Sequence, residues 1–96
     1  CAGSITLDRN RLEAADVLPG EMVLVVNLSN GARLETYAIE APAGSGTVCL
    51  NGPAARLAEV GDLVHVISYC YCDDQTARTL VPRIVAVDEK NQPTGK

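Results

Sequence analysis

Met22-Val23-Leu24-Val25-Val26-Asn27-Leu28, then Ser29-Asn30-Gly31, then Arg33-Leu34-Glu35-Thr36-Tyr37-Ala38-Ile39 reads as a β-hairpin and sets the fold class. The first run is almost continuously apolar, as in a strand buried on both faces. Asn30 and Gly31 tolerate the positive φ that a hairpin turn demands. The second run alternates, with Arg33, Glu35, Tyr37 and Ile39 on one face and Leu34, Thr36 and Ala38 on the other. Moving outward, Leu18-Pro19-Gly20-Glu21-Met22-Val23-Leu24-Val25-Val26 is echoed 41 positions later by Glu59-Val60-Gly61-Asp62-Leu63-Val64-His65-Val66-Ile67. Both stretches read Gly, acid, apolar, Val, any residue, Val, apolar, and both follow a short Ala- and Leu-rich helical segment. Two copies are too few for a solenoid. A closed β-barrel with pseudo-twofold symmetry accounts for them, because closure removes the edges of many short strands.

The rest of the chain fits a mainly β single domain over residues 1–96 with short helices. Residues 4–7 read as a strand, Asp8 as a helix N-cap and 9–17 as a helix stopped by Pro19-Gly20. Residues 47–50 are a further strand, and Asn51-Gly52-Pro53 opens a helical turn through Leu57. Residues 63–71 are expected to be the longest strand, 73–77 a polar loop and 84–87 a last strand. The tail is expected to fray after Asp88.

Composition narrows the function. The 96 residues hold no Phe or Trp and only three Tyr, and carry a net charge of −4. Nucleic-acid binding calls for a cationic footprint and aromatic stacking platforms, and an acidic chain would be repelled by an anionic membrane surface. No apolar run approaches the ~18 residues of a transmembrane helix. The start, Cys1-Ala2-Gly3, lacks the pattern of a signal peptide. Cys49 and Cys70 lie in apolar, strand-like runs where a thiol is commonly a small buried hydrophobe. A reduced, cytoplasmic protein is the expectation.

Three groups of residues could carry chemistry. Gly3-Ser4 stands at the mouth of a strand, where an ordinary turn would look the same. Arg33, Thr36 and Tyr37 lie on one strand. Arg offers a fork for a carboxylate, and Tyr a neutral proton donor; an exposed strand face with an amphipathic Tyr would look alike. Asn51-Gly52-Pro53-Ala54 exposes backbone groups before a helical turn, and also reads as a plain turn. Cys70 and Cys72 form half of a metal-site pattern with no second pair at ligand spacing, so no metal is expected. His65 lies mid-strand with no catalytic arrangement around it, and no phosphate-binding loop appears.

Taken together, Gly3-Ser4-Ile5-Thr6-Leu7-Asp8, Asn30-Gly31-Ala32-Arg33-Leu34-Glu35-Thr36-Tyr37-Ala38-Ile39, Asn51-Gly52-Pro53-Ala54-Ala55, Val60-Gly61-Asp62 and Ala77-Arg78-Thr79 with Pro82 resemble the pyruvoyl-dependent aspartate 1-decarboxylases over nearly the whole chain. The resemblance implies a double-psi β-barrel and a homotetramer with sites between subunits, including the cleaved N-terminal chain. It implies that Ser4 attacks the Gly3 carbonyl, that the chain breaks there, and that a covalent pyruvoyl group replaces Ser4. The ketone of that group condenses with L-aspartate and acts as an electron sink. The products are CO2 and β-alanine, a precursor of pantothenate and coenzyme A. By the same resemblance Tyr37 reprotonates the carbanion and Arg33 pairs with a substrate carboxylate. Thr36, Asn51 and the Gly52-Pro53-Ala54 loop contact substrate, and Thr36 and Asn51 help to hold the site before cleavage.

The sequence departs from the family in two respects. Family members carry an upstream segment with the first barrel strand and a Lys that approaches substrate, and neither has a counterpart here; a truncated chain is the expectation. Pro53 stands where Ala is common, so contacts there run through its carbonyl or its neighbours. The competing reading is a non-catalytic, oligomeric double-psi-barrel binding module, which would have no reason to combine Gly3-Ser4 with Arg33, Thr36 and Tyr37. A thiolate metal carrier built on Cys70 and Cys72 is a third reading.

Overall fold

A computed structural model describes residues 3–94. The chain runs β1 (Ser4–Asp8), α1 (Arg9–Ala15), β2 (Met22–Asn27), β3 (Arg33–Ala41), β4 (Val48–Asn51), a 3-10 helix (Gly52–Leu57), β5 (Val64–Ile67) and α2 (Asp74–Thr79). One mixed sheet has the order β4-β1-β3-β2-β5. β1 and β3 are parallel, and the other pairs are antiparallel. The hairpin read from the sequence is the β2–β3 ladder, in which Met22 faces Tyr37 and Val26 faces Arg33.

Strand alternation gives the sheet two unlike faces. Ile5, Leu7, Val23, Val25 and Ala38 lie on one and are buried with Leu12 and Val17, against which Leu34, Leu50, Val64 and Val66 pack. Burying each large aliphatic side chain contributes about 1.5–3 kcal/mol, and Ile5, Val23 and Val25 are almost wholly removed from solvent. β2 was expected to be buried on both faces. Instead Val23 and Val25 are buried, Leu24 and Val26 are half-buried, and Met22 is exposed. The opposite face carries Ser4, Thr6, Tyr37 and Arg33, together with Cys49 and Asn51.

The internal echo is a real structural repeat. Glu21 accepts from Leu18 N at 2.9 Å, as Asp62 does from Glu59 N at 2.9 Å. Glu21 N and Asp62 N both return to the carbonyls of Leu18 and Glu59, at 3.0 Å. Each turn launches a strand, and the two strands pair so that Val25 meets its own echo, Val66. A local twofold axis therefore passes between them.

The closed barrel expected from this repeat, in the double-psi form that the family resemblance implied, is not formed. β4 and β5 end the sheet as open edges. The reason lies after Ile67. The first copy continues through an Asn-Gly turn into β3, whereas the second runs into Ser68–Asp73 with no ladder partner. The expected long strand over 63–71 is thus reduced to four residues, Val64–Ile67. Residues 84–87 contribute one isolated bridge, Val87 to Pro93, in place of a strand. The expected polar loop at 73–77 is instead the start of α2, because Asp73 accepts from Thr76 N at 2.8 Å as an N-cap.

Asp8 ties the end of β1 to the far end of the chain. Its fully buried carboxylate caps α1 through Asn10 N at 2.8 Å and accepts from Gly44 N at 3.1 Å, Gly46 N at 2.7 Å and Gln92 Nε2 at 2.7 Å. Gly46 is required where it stands: its φ is +68°, and a Cβ would come 2.6 Å from Lys90 O. Residues 88–94 are drawn in here, with Asn91 Nδ2 donating to Gly46 O at 3.1 Å. The Gln92 amide, opposed by burial and joined by the backbone donors, lowers the Asp8 carboxyl from 3.8 to about 2. The folded value lies below the unfolded one, so this carboxylate stabilises the fold above pH ~4, and the contribution is lost as pH falls toward ~2. Asp8→Asn turns one acceptor into a donor facing other donors. It is expected to lower Tm by on the order of 10 °C and to flatten the dependence of Tm on pH between 5 and 2. Thermal melts of both proteins across that range check this, and parallel curves would exclude the role.

Candidate active site

Ser4 and Asn51 are direct partners across the antiparallel β1–β4 ladder, as are Thr6 and Cys49 two positions on. All four side chains therefore stand on one face. Asn51 Nδ2 donates to Ser4 Oγ at 2.9 Å and to Thr6 Oγ1 at 2.8 Å. Asn51 Oδ1 accepts from the Cys49 thiol at 3.4 Å. Ser4 is only 1% exposed. An amide aimed at a serine oxygen favours negative charge there as the hydroxyl gives up its proton.

Gly3 fits this site because no side chain would. Its φ is +102°, and a Cβ would lie 3.2 Å from Asn51 O and 3.3 Å from both Ala54 Cβ and Ala54 N. Asn51 leads into the 3-10 helix, with Pro53 in its first turn, where a missing N–H costs nothing. Gly52 and Pro53 are exposed, and Ala54 is buried beside Gly3.

The parallel β1–β3 register pairs Ile5 with Ala38. One step back sets Ser4 beside Tyr37 on the same face, one strand spacing away, roughly 5 Å. Tyr37 is 38% exposed. Arg33 shares this face but stands four residues along β3, about 13 Å away. It lies opposite Val26, which also pairs with His65. Thr36 lies on the other face, paired with Val23, and its buried Oγ1 has no hydrogen-bond partner among the described residues. Within one chain, then, the structure gathers Gly3, Ser4, Asn51, Ala54 and Tyr37, and leaves Arg33 and Thr36 apart from them.

Two residues of the network escaped the sequence reading, Thr6 and Cys49. The signal was present as polar pairs at strand spacing, Ser4 with Thr6 and Cys49 with Asn51. Cys49 and Cys70 were expected to be buried, but both are exposed, as is Cys72; β4 is an edge strand and the segment after β5 joins no ladder among the described residues. Cys1 lies outside the described residues. Among the described residues no three His, Cys, Asp or Glu side chains are grouped to hold a metal ion.

The family model for aspartate decarboxylase matches residues 1–94. An aspartate 1-decarboxylase of Thermoanaerobacter pseudethanolicus is 55% identical over 91 residues, covering 95% of this chain and 78% of that protein. One from Pelotomaculum thermopropionicum is 58% identical over 90 residues, covering 94% and 68%. One from Listeria monocytogenes is 55% identical over 89 residues, covering 93% and 70%. With the family model matched over residues 1–94 and relatives more than half identical across nearly the whole chain, the chain belongs to the aspartate decarboxylase family.

Proposed function

We propose that this chain decarboxylates L-aspartate to β-alanine and CO2 through a self-generated pyruvoyl group, supplying pantothenate and coenzyme A synthesis. The observation that carries the reading is the Ser4 hydroxyl, directly after Gly3, held by Asn51 Nδ2 at 2.9 Å in a chain of this family. Position 4 suits the group, since the ketone forms at the Ser4 α-carbon where the backbone nitrogen leaves, and Gly3 on the other side of that bond carries no side chain. Ser4 Oγ attacks the Gly3 carbonyl carbon as its proton passes to the amide nitrogen; the C–N bond breaks and an ester forms. Loss of the Ser4 α proton expels the Gly3 carboxylate, and water then releases ammonia and leaves the ketone. When formed, that group supplies an electron sink for the pair left by CO2.

The chain's own residues do the rest. Tyr37 delivers the proton to the carbanion. Arg33 pairs with a carboxylate of aspartate, and Thr36, Asn51 and the Gly52-Pro53-Ala54 loop line the substrate. Ser4 is buried in the uncleaved chain, so access follows cleavage. The 13 Å between Arg33 and Tyr37 supports a site completed by a second subunit, within a cytoplasmic homotetramer that keeps the cleaved N-terminal chain. Leu63, Tyr69, Tyr71 and Ile84 are exposed and suit such contacts. Among the described residues no helix is long and apolar enough to cross a membrane.

The test is intact mass together with product analysis on the full-length protein that carries this sequence. A large fragment blocked at its N-terminus, forming β-alanine and CO2 in equal amounts, is expected. An unmodified Ser4 and no β-alanine would overturn the reading. Arg33→Ala is expected to raise KM for aspartate by roughly one to two decades, since losing a charge-assisted pair costs about 1.5–3 kcal/mol. Initial-rate kinetics check this, and an unchanged KM would remove Arg33 from the site.

A further inference from the structure

Both N–H groups and the oxygen of the Asn51 side-chain amide are engaged. One N–H goes to Ser4 Oγ, the other goes to Thr6 Oγ1, and the oxygen takes the Cys49 thiol. We propose that Thr6 is a positioning residue for self-cleavage, holding the Asn51 amide with its nitrogen toward Ser4. This rests on the reading above that Ser4 breaks the Gly3–Ser4 bond.

The argument turns on the two orientations of an amide. Oxygen and NH2 have nearly the same shape, and a serine hydroxyl can bond to either. Only the orientation with nitrogen toward Ser4 donates into Oγ and favours charge building there during attack. With oxygen toward Ser4, the amide accepts the hydroxyl proton and opposes its loss. Thr6 tips this balance. At 2.8 Å its hydroxyl takes the second N–H, which otherwise faces the sheet without a partner. Cys49 acts in the same sense, because a thiol is a weak donor better matched to the amide oxygen. With valine at position 6 the second N–H faces a methyl group. Flipping then places NH2 toward the exposed Cys49 and water, and leaves oxygen on Ser4.

Thr6 is well placed for this and for little else. It stands two residues after Ser4 on the same face, so strand geometry fixes the distance between them. Its side chain is half-buried and takes no part in the aliphatic core. Val has nearly the shape of Thr, so the swap removes the hydroxyl with minimal change in packing.

The experiment follows cleavage at Gly3–Ser4 by mass in the full-length protein, comparing wild type, Thr6→Val and Thr6→Ser. Thr6→Val is expected to cleave roughly tenfold to a hundredfold more slowly, the range set by one unsatisfied donor. Thr6→Ser keeps the hydroxyl and should cleave near the wild-type rate. A wild-type rate in Thr6→Val overturns the proposal. So does equal slowing in Val and Ser, or a slowing that tracks loss of the folded state in thermal melts. A second readout does not need cleavage. In the uncleaved protein the two Asn51 side-chain amide protons should be protected in 15N–1H spectra, and Thr6→Val should lose the protection of at least one. If neither changes, the proposal fails whatever the rates. If wild type does not cleave at all, the pyruvoyl reading fails, while the spectra still decide whether Thr6 holds Asn51.

Discussion

Ser4→Ala is expected to leave the chain in one piece and to reduce β-alanine formation to the uncatalysed background. No other side chain on this face can replace the attack. Thr6 Oγ1 lies two residues along β1 and is bonded to Asn51 Nδ2 at 2.8 Å, and Cys49 is on the neighbouring strand. The substitution also withdraws an acceptor from Asn51 Nδ2 at 2.9 Å. An unsatisfied donor costs about 1–3 kcal/mol, so Tm should fall by several degrees while the protein remains folded. That separates lost chemistry from lost structure. Ser4→Cys keeps a nucleophile of similar reach and is expected to cleave slowly. Intact mass after prolonged incubation is the measurement, and a blocked large fragment from Ser4→Ala would show that another group breaks the chain.

How far the sequence reached depended on how local each interaction is. Alternation along 33–39 placed Arg33 and Tyr37 on one face and Thr36 on the other, because a strand's side-chain period needs no knowledge of its neighbours. The Gly-acid turns were legible for the same reason: Glu21 and Asp62 bond within three residues of themselves. The Ser4–Asn51 contact spans 47 residues and depends on the β1–β4 register, which no local pattern fixes. Only the resemblance to a known family brought those two residues into one site.

Closure was the point at which local evidence misled. Two similar strand starts suggested a barrel, and the twofold at Val25 and Val66 shows that the repeat is real. A barrel also needs strands to cover both edges. Ser68 to Asp73 forms no ladder and Pro82 lacks an N–H, so β4 and β5 stay open among the described residues. The exposed thiols follow from that openness. α2 was missed for the opposite reason: a polar Asp-Asp-Gln-Thr run reads as a loop until Asp73 is seen to cap it.

Tyr37→Phe is the sharpest test of the division of labour on β3. The register sets Tyr37 beside Ser4 and opposite Met22, and the residue is partly exposed. Phenylalanine keeps the ring and removes only the donor. Folding and Gly3–Ser4 cleavage should therefore be unchanged, because Asn51 and not Tyr37 holds the Ser4 hydroxyl. Under the proposed roles aspartate should still bind, because Arg33 and not Tyr37 meets its charge. What fails is the proton delivered after CO2 has left. A positioned general acid is worth ~10²–10⁴ in rate, so kcat should fall by that factor with KM little changed. Following CO2 and β-alanine separately in a single turnover locates the defect: CO2 should appear ahead of β-alanine in Tyr37→Phe and together with it in wild type. β-Alanine formed at the wild-type rate would remove Tyr37 from the chemistry and leave water as the proton donor.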